Sequence, residues 1–179
     1  MIQKSILSIL LTTSILTLSS YLRKPMVKVK NFHKVSQTLY RSAQPNKKEM
    51  QQLKNYGINT IINLRNSLSD KQEVKNSGLK LIEIPIKTKK ISYEDMVDAM
   101  IAFRDAPKPV LVHCRRGSDR TGCFVACYRM LFEDVSREEA KKELLDEDLG
   151  YYQNLFPNIA AFVDTVDIER IKRSILRNE

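Results

Sequence analysis

Residues 113–122 have the sequence HCRRGSDRTG, and they follow an apolar run, Pro-Val-Leu-Val, at 109–112. The run is β-branched and aliphatic without helical spacing, which predicts a buried strand. Residues 124–131 are largely apolar and predict a helix. The chain therefore passes from a strand through a short loop into a helix. Backbone N–H groups at such a helix start point into one concavity, which favours a bound anion.

Two side chains of this loop have the chemistry that such a concavity needs for phosphate transfer. Cys114 stands at its mouth, where the positive field favours the thiolate, the nucleophilic form of cysteine. Arg120 follows six positions later, and its planar guanidinium can donate two N–H groups to phosphate oxygens. Gly117 allows close backbone approach to the anion, and Gly122 allows tight packing at the helix start.

The remaining loop residues have supporting roles in this interpretation. We expect the Thr121 hydroxyl to hydrogen-bond the cysteine sulfur and His113 to orient the loop. We expect six residues of the loop to bind the substrate: Arg115, Arg116, Gly117, Ser118, Thr121 and Gly122.

The pattern His-Cys-x-x-Gly-x-x-Arg-Thr-Gly resembles the signature loop of the cysteine-dependent protein tyrosine phosphatases, nearest to their atypical dual-specificity branch. Residues 39–45 (Leu-Tyr-Arg-Ser-Ala-Gln-Pro) and 60–65 (Thr-Ile-Ile-Asn-Leu-Arg) are similar to two further segments of that branch. Within them, Arg41 and Arg65 are expected to brace the loop through ion pairs. The resemblance implies a dual-specificity-phosphatase-like domain and no cofactor.

The resemblance also implies a reaction in two steps. The Cys114 thiolate attacks phosphorus to form a phosphocysteine, while Arg120 and the loop N–H groups stabilise the phosphoryl oxygens. Water then hydrolyses the intermediate. In the family, an Asp on the loop after the preceding strand usually protonates the leaving group, but the corresponding loop here, 85–92, contains no carboxylate.

Three other carboxylates are candidates for this acid. Asp119 lies inside the loop, and the myotubularins have a similarly placed Asp. It is either the general acid or a residue that braces the loop. Glu94 and Asp95 are also near in sequence, but helix capping explains them. Without an acid, a phenolic leaving group is favoured over an alkyl one, and so phosphotyrosine over phosphoserine.

The charge of the chain favours anionic partners. Lysines and arginines number 30 against 21 acidic residues, a net charge of +9. Arginines of the loop, with Lys87, Lys89 and Lys90, suit a substrate that has several phosphates. Three hypotheses follow: a phosphatase of phosphotyrosine or phosphoserine/threonine proteins, a phosphoinositide or inositol-phosphate phosphatase, and a non-catalytic phosphate-binding module. No nucleic-acid motif and no spacing of metal ligands is present, and we expect a monomer.

Strands that alternate with helices along the chain predict an α/β fold with a mostly parallel sheet and the loop at the carboxyl end of a strand. Ser92 and Ser136 each begin a predicted helix with a capping box. We also predict a helix from 46 to 56 ended by Gly57, a strand from 79 to 84 ended by Pro85, and one last helix from 158 to 176.

The chain begins with a short basic start and an uncharged apolar stretch at 5–20. This pattern predicts a secretory signal or N-terminal anchor over residues 1–22, followed by the catalytic domain over 23–179. It places the protein in the periplasm or at a membrane facing it. The basic segment 23–30 is either a linker or a contact with the membrane surface.

All three cysteines lie between 114 and 127, too clustered for a disulfide framework. Cys123 and Cys127 are four apart on the predicted helix. They are either small buried hydrophobes or partners that trap an oxidised Cys114.

Overall fold

The computed structural model describes residues 26–177, so the predicted leader at 1–22 lies outside the described residues. Five strands occur in this part of the chain: β1 His33–Lys34, β2 Leu39–Ser42, β3 Thr60–Arg65, β4 Lys80–Ile86 and β5 Val110–His113. The helices in it are α1 Lys47–Tyr56, α2 Lys71–Val74, α3 Tyr93–Asp105, α4 Asp119–Phe132, α5 Arg137–Leu144, α6 Pro157–Thr165 and α7 Ile168–Arg177. None of these helices is long and apolar enough to cross a membrane.

The strands form one sheet in the order β1-β2-β5-β3-β4, in which only β1 runs antiparallel to its neighbour. This confirms the predicted α/β fold with a mostly parallel sheet. Because four parallel strands end at the same edge, the residues after Ser42, Arg65, Ile86 and His113 meet there. The apolar β5 lies at the centre, so the loop that follows it opens in the middle of that edge.

Helices cover both faces of the sheet. Because side chains alternate along the central strands, each strand contributes residues to the core on either face. Val112 and Ile62 face a large core formed with α3 to α7. Leu111 and Ile61 face a smaller core on the opposite side, where α1 contributes Met50. Both central strands are therefore buried on two faces, which explains their nearly continuous apolar sequence.

The local signals for helix starts are confirmed. Ser92 and Ser136 cap α3 and α5 with complete capping boxes, and Asn46 caps α1 in the same way. Gly57 ends α1 in the left-handed conformation, with φ of 107°.

Two predicted boundaries are wrong. Pro85 does not end β4, which continues to Ile86; β4 is an edge strand, where the missing N–H of proline is tolerated. The last helix is two helices, because Val166 is extended and Asp167 starts a new helix by accepting a hydrogen bond from the N–H of Arg170, at 2.8 Å.

Candidate active site

The loop joins the end of β5 to the start of α4, as its sequence pattern requires. Cys114 directly follows the last residue of β5, and α4 begins at Asp119. Cys114 is buried, with 1% of its surface exposed. The first N–H groups of α4 have no partner within the helix and lie at the positive end of its dipole. The loop therefore places a sulfur beside a set of backbone donors.

Gly117 and Arg41 seat the loop against the end of β2. Gly117 has φ of +76°, and a Cβ there would lie 2.3 Å from the carbonyl carbon of Ser42, so only glycine fits. Arg41 donates from Nη2 to the Gly117 carbonyl at 2.7 Å, so it braces the loop through the backbone, where the sequence had suggested an ion pair. Its side chain is fully enclosed, and this burial lowers the pKa of Arg41.

Arg120 returns to the strand ends from the first turn of α4. Its Nη1 donates to the carbonyls of Leu64 and Ile86, each at 3.2 Å. Its Nε is buried and has no hydrogen-bond partner within residues 26–177. The guanidinium borders a cleft of about 490 Å³, whose lining residues are Gln44, Arg65, Asn66, Ser67, Leu68, Arg115 and Arg120.

A buried ionic cluster, formed by Arg65, Asp70 and His113, lies behind the loop. Arg65 Nη2 is 2.5 Å from Oδ1 of Asp70, and His113 Nε2 is 2.8 Å from Oδ2 of the same carboxylate. The other ring nitrogen of His113, Nδ1, is 3.1 Å from the carbonyl oxygen of Cys114. The cluster therefore connects the end of β3 with the peptide of the cysteine.

Asp70 is the functional candidate that the sequence did not reveal. Its only local signal is its place before the short helix α2, where it is the N-cap residue but makes no side-chain cap. The carboxylate instead contacts Arg65 and His113, which are five and 43 residues away in the sequence. Such long-range pairing leaves no pattern in a single sequence.

A second group, here called the rim cluster, holds the other side of the loop and consists of Arg116, Asp119 and Tyr152. Arg116 Nη2 is 2.9 Å from Oδ2 of Asp119, and Oδ1 of Asp119 accepts the backbone N–H of Tyr152 at 3.1 Å. The Arg116 guanidinium also stacks 3.7 Å from the centre of the Tyr152 ring. Both oxygens of Asp119 are thus engaged in bracing contacts.

The other predicted loop residues differ in exposure. Arg115 is exposed at the cleft, whereas the Ser118 and Thr121 hydroxyls are buried without a hydrogen-bond partner in the described part of the chain. At Gly122, a Cβ would lie 2.7 Å from Cδ1 of Leu144, so glycine lets α5 pack against the start of α4.

Neither the other two candidates for the general acid nor the three lysines expected near the substrate line the cleft. Asp95 accepts the Ser92 N–H in the cap of α3, at 2.8 Å, and Glu94 is exposed on the same helix. The exposed side chains of Lys87, Lys89 and Lys90 are not among the lining residues of the cleft.

Cys123 and Cys127 are fully buried in the large core as free thiols. A hydrogen bond with Cys127, together with burial, raises the pKa of Cys123 well above its ordinary value. Cys123 therefore stays a thiol at neutral pH, as the interpretation of a small buried hydrophobe expects.

The geometry agrees with a match to a known family. A family model described as "DSP-PTPase phosphatase fused to NAD+ Kinase" matches residues 26–155. The chain belongs to this phosphatase family. It is accordingly a hydrolase of the cysteine-dependent protein tyrosine phosphatase superfamily, and the matched range contains every residue of the loop and of the two clusters.

Two relatives of this chain are named for different phosphatase activities. The dual specificity protein phosphatase TpbA of Pseudomonas aeruginosa is 23% identical over 151 residues, which are 83% of this chain and 68% of TpbA. The inositol diphosphatase SIW14 of Saccharomyces cerevisiae is 26% identical over 176 residues, 90% of this chain and 60% of SIW14. The chain thus spans less than two thirds of the yeast relative.

Solved structures of both relatives share the fold. The TpbA crystal structure superposes with a TM-score of 0.72 at 23% identity, covering 82% of this chain and 91% of that one. The catalytic core of SIW14 in complex with citrate gives 0.71 at 25% identity, covering 84% and 93%.

Proposed function

We propose that this phosphatase hydrolyses phosphotyrosine in proteins, with Cys114 as the nucleophile. The observation that carries the proposal is the lining of the cleft beside Arg120, which includes three arginines and no carboxylate. A leaving group that departs there receives no proton from a lining acid. Phenolate tolerates this better than an alkoxide does, since the phenol of tyrosine titrates near about 10.

The reaction follows from the loop. The Cys114 thiolate attacks phosphorus, the bond from phosphorus to the phenolic oxygen breaks, and the phenolate takes a proton from water. A second water then attacks phosphorus, and the sulfur leaves as thiolate with release of inorganic phosphate. The Arg120 guanidinium and the N–H groups at the start of α4 stabilise the charge on the phosphoryl oxygens.

The loop neighbours complete this proposal. Gly117 and Gly122 allow the fit of the loop, while Arg41 and His113 hold its backbone. In this proposal the Thr121 hydroxyl assists the departing sulfur, and Arg115, which lines the cleft, binds the substrate together with Arg116 and Ser118. We assign Asp119 to bracing, because Arg116 and the N–H of Tyr152 occupy both of its oxygens.

An inositol diphosphate is the second candidate substrate. The same absence of a lining carboxylate supports it, because a phosphate leaving group, with a second pKa near about 6, departs as a stable anion. The cationic side chains of Arg115 and Arg120 at the cleft suit a substrate with several charges. SIW14 and several plant relatives are named inositol diphosphatases.

The test measures phosphate release by the full chain from a phosphotyrosine peptide, the matched phosphoserine peptide and an inositol diphosphate, with Cys114→Ser as the control. We expect the highest kcat/KM on the phosphotyrosine peptide and no turnover by the control. A preference for the diphosphate would select the second candidate. Tight binding of phosphorylated ligands without turnover would contradict both and leave a non-catalytic binding module.

We also propose that the protein is exported as a monomer and acts in the periplasm or anchored at a membrane facing it. The apolar stretch at 5–20 supports export, and the basic segment 23–30 supports contact with anionic lipid. Cell fractionation tests this: recovery of the chain in the cytoplasmic fraction would contradict it.

A further inference from the structure

A second space, here called the side groove, lies next to the cleft and shares a wall with it. It has a volume of about 420 Å³ between the chain that follows β2 and the helix α2. Its lining residues are Gln44, Pro45, Asn46, Lys47, Gln72 and Glu73. Gln44 lines both spaces. An extended peptide advances about 3.3 Å per residue, so a peptide with its phosphotyrosine in the cleft reaches the side groove within one or two residues.

Gln44 is held at the boundary between the two spaces by contacts to both neighbouring segments. Its backbone N–H donates to the carbonyl of Arg115 in the loop, at 3.3 Å. Nε2 of its side chain donates to Oδ1 of the buried Asp70, also at 3.3 Å. The side groove therefore has a fixed position relative to the loop that contains Cys114.

Glu73 is an acidic residue of the side groove whose carboxylate has no counter-ion. No ion pair or hydrogen bond to its side chain occurs within residues 26–177. The residue is half-buried; Oε2 is fully buried, whereas Oε1 is not. Such a carboxylate has lost part of its hydration without gaining a partner, so the binding of a cation beside it is favourable.

We propose that the side groove binds a lysine or arginine side chain of the substrate, close to the phosphotyrosine, through the Glu73 carboxylate. The proposal rests on the function proposed above and adds a substrate preference to it. Pro45 lines the same groove and offers an apolar surface to the aliphatic part of such a side chain. The Glu73 charge also repels a substrate with several phosphates, which favours a protein over an inositol diphosphate.

An anion is the competing ligand, because α1 begins in the side groove at Lys47. The start of α1 is already capped by the chain, since Asn46 accepts the N–H of Glu49 at 3.0 Å and Glu49 accepts the N–H of Asn46 at 2.7 Å. Lys47 is exposed and keeps its hydration. The half-buried Glu73 is therefore the charge that gains more from a partner, and it selects a cation.

The test measures the dissociation constants of phosphotyrosine peptides for the full chain with Cys114→Ser, which should bind them without turnover. The parent peptide has alanine at the two positions on either side of the phosphotyrosine. Each variant peptide has one lysine or one glutamate at one of these positions. We expect a lysine at one position to tighten binding about three- to tenfold, and a glutamate at that position to weaken it.

Glu73→Gln in the same background tests the residue itself. The preference for lysine should fall below about twofold, because the amide keeps the shape of the side chain without its charge. Glu138→Gln is the matched control, since Glu138 is an exposed residue of α5 that lines neither the cleft nor the side groove. It should keep the full preference. Far-ultraviolet circular dichroism checks that both variants are folded.

Three results would overturn the proposal: no preference for lysine at any position, an unchanged preference in folded Glu73→Gln, or an equal loss in Glu138→Gln. Tighter binding of a glutamate peptide than of its lysine counterpart would also overturn it, because the side groove would then bind anions. The binding measurement needs no turnover. A lysine preference that disappears in Glu73→Gln therefore supports the proposal even if the wild-type chain releases no phosphate from these peptides, which would be a failure of the proposed function alone.

Discussion

Two ionic clusters hold the loop at residues 113–122, and they differ in their access to water. In the buried cluster, the side chains of Arg65, Asp70 and His113 are 5%, 0% and 0% exposed. In the rim cluster, Arg116 is 37% exposed and Asp119 is 7% exposed. Both clusters join the loop to a segment distant in sequence, but only in the first is every side chain cut off from solvent.

The difference indicates separate tasks. Buried charges depend wholly on each other, because water cannot replace a lost partner, whereas an exposed charge recovers most of its hydration. The buried cluster therefore defines one arrangement of the strand end that holds Cys114. The rim cluster, by contrast, is partly open to water and tolerates adjustment.

The largest effect is expected from Arg65→Leu, which removes the guanidinium next to the buried Asp70 carboxylate. The free energy of unfolding should fall by about 3 kcal/mol or more, as measured by urea denaturation. Lys141→Leu is the control, because it removes one cation from the half-exposed pair with Asp164 and should cost less than about 1 kcal/mol. Equal losses in the two variants would remove the distinction between buried and exposed pairs.

An intermediate effect is expected from Asp119→Asn, which also separates bracing from acid catalysis. Loss of the charged contact to Arg116 should lower the free energy of unfolding by about 1–2 kcal/mol. Bracing predicts that kcat falls by less than about tenfold on aryl and alkyl phosphates alike. A loss of about 10²–10⁴ in kcat, larger on the alkyl phosphate and with an altered pH profile, would instead make Asp119 the general acid.

The smallest effect on stability is expected from Arg116→Gln, at about 1 kcal/mol or less, because this guanidinium is the most exposed of the ionic side chains in the two clusters. Screening should shrink the difference from wild type at high salt. Urea denaturation at low and high salt checks this. A loss that stays large at high salt would show that the rim cluster is as strongly coupled as the buried one.

Much of the site was predictable because its signals are local. A run of aliphatic residues, a loop with Gly117 and a following apolar segment specify strand, loop and helix through neighbours in sequence. Capping boxes at Ser92 and Ser136 are equally local, since donor and acceptor are three residues apart. The two wrong boundaries, the end of β4 at Pro85 and the undivided last helix, depend on tertiary position. An edge strand accepts a proline, and the packing of two helices favours a break between them.

The partners of charged residues were the least predictable part. Arg41 was expected in an ion pair but donates to the Gly117 carbonyl, because β2 and the loop meet only when β5 lies between β2 and β3. Asp70 had the signature of an ordinary helix start, and its pairing with His113 depends on two strand ends that meet at one edge of the sheet.

The sequence by itself determined the strand, loop and helix around Cys114, the α/β class and the phosphatase family, because each depends on residue types at short, fixed spacings. Only the tertiary structure decided which carboxylate stands behind the cysteine, which one braces the rim, and that none lines the cleft beside Arg120. The physical reason is that charges act through distance in space and through exclusion of water, and both arise only when the strand ends come together.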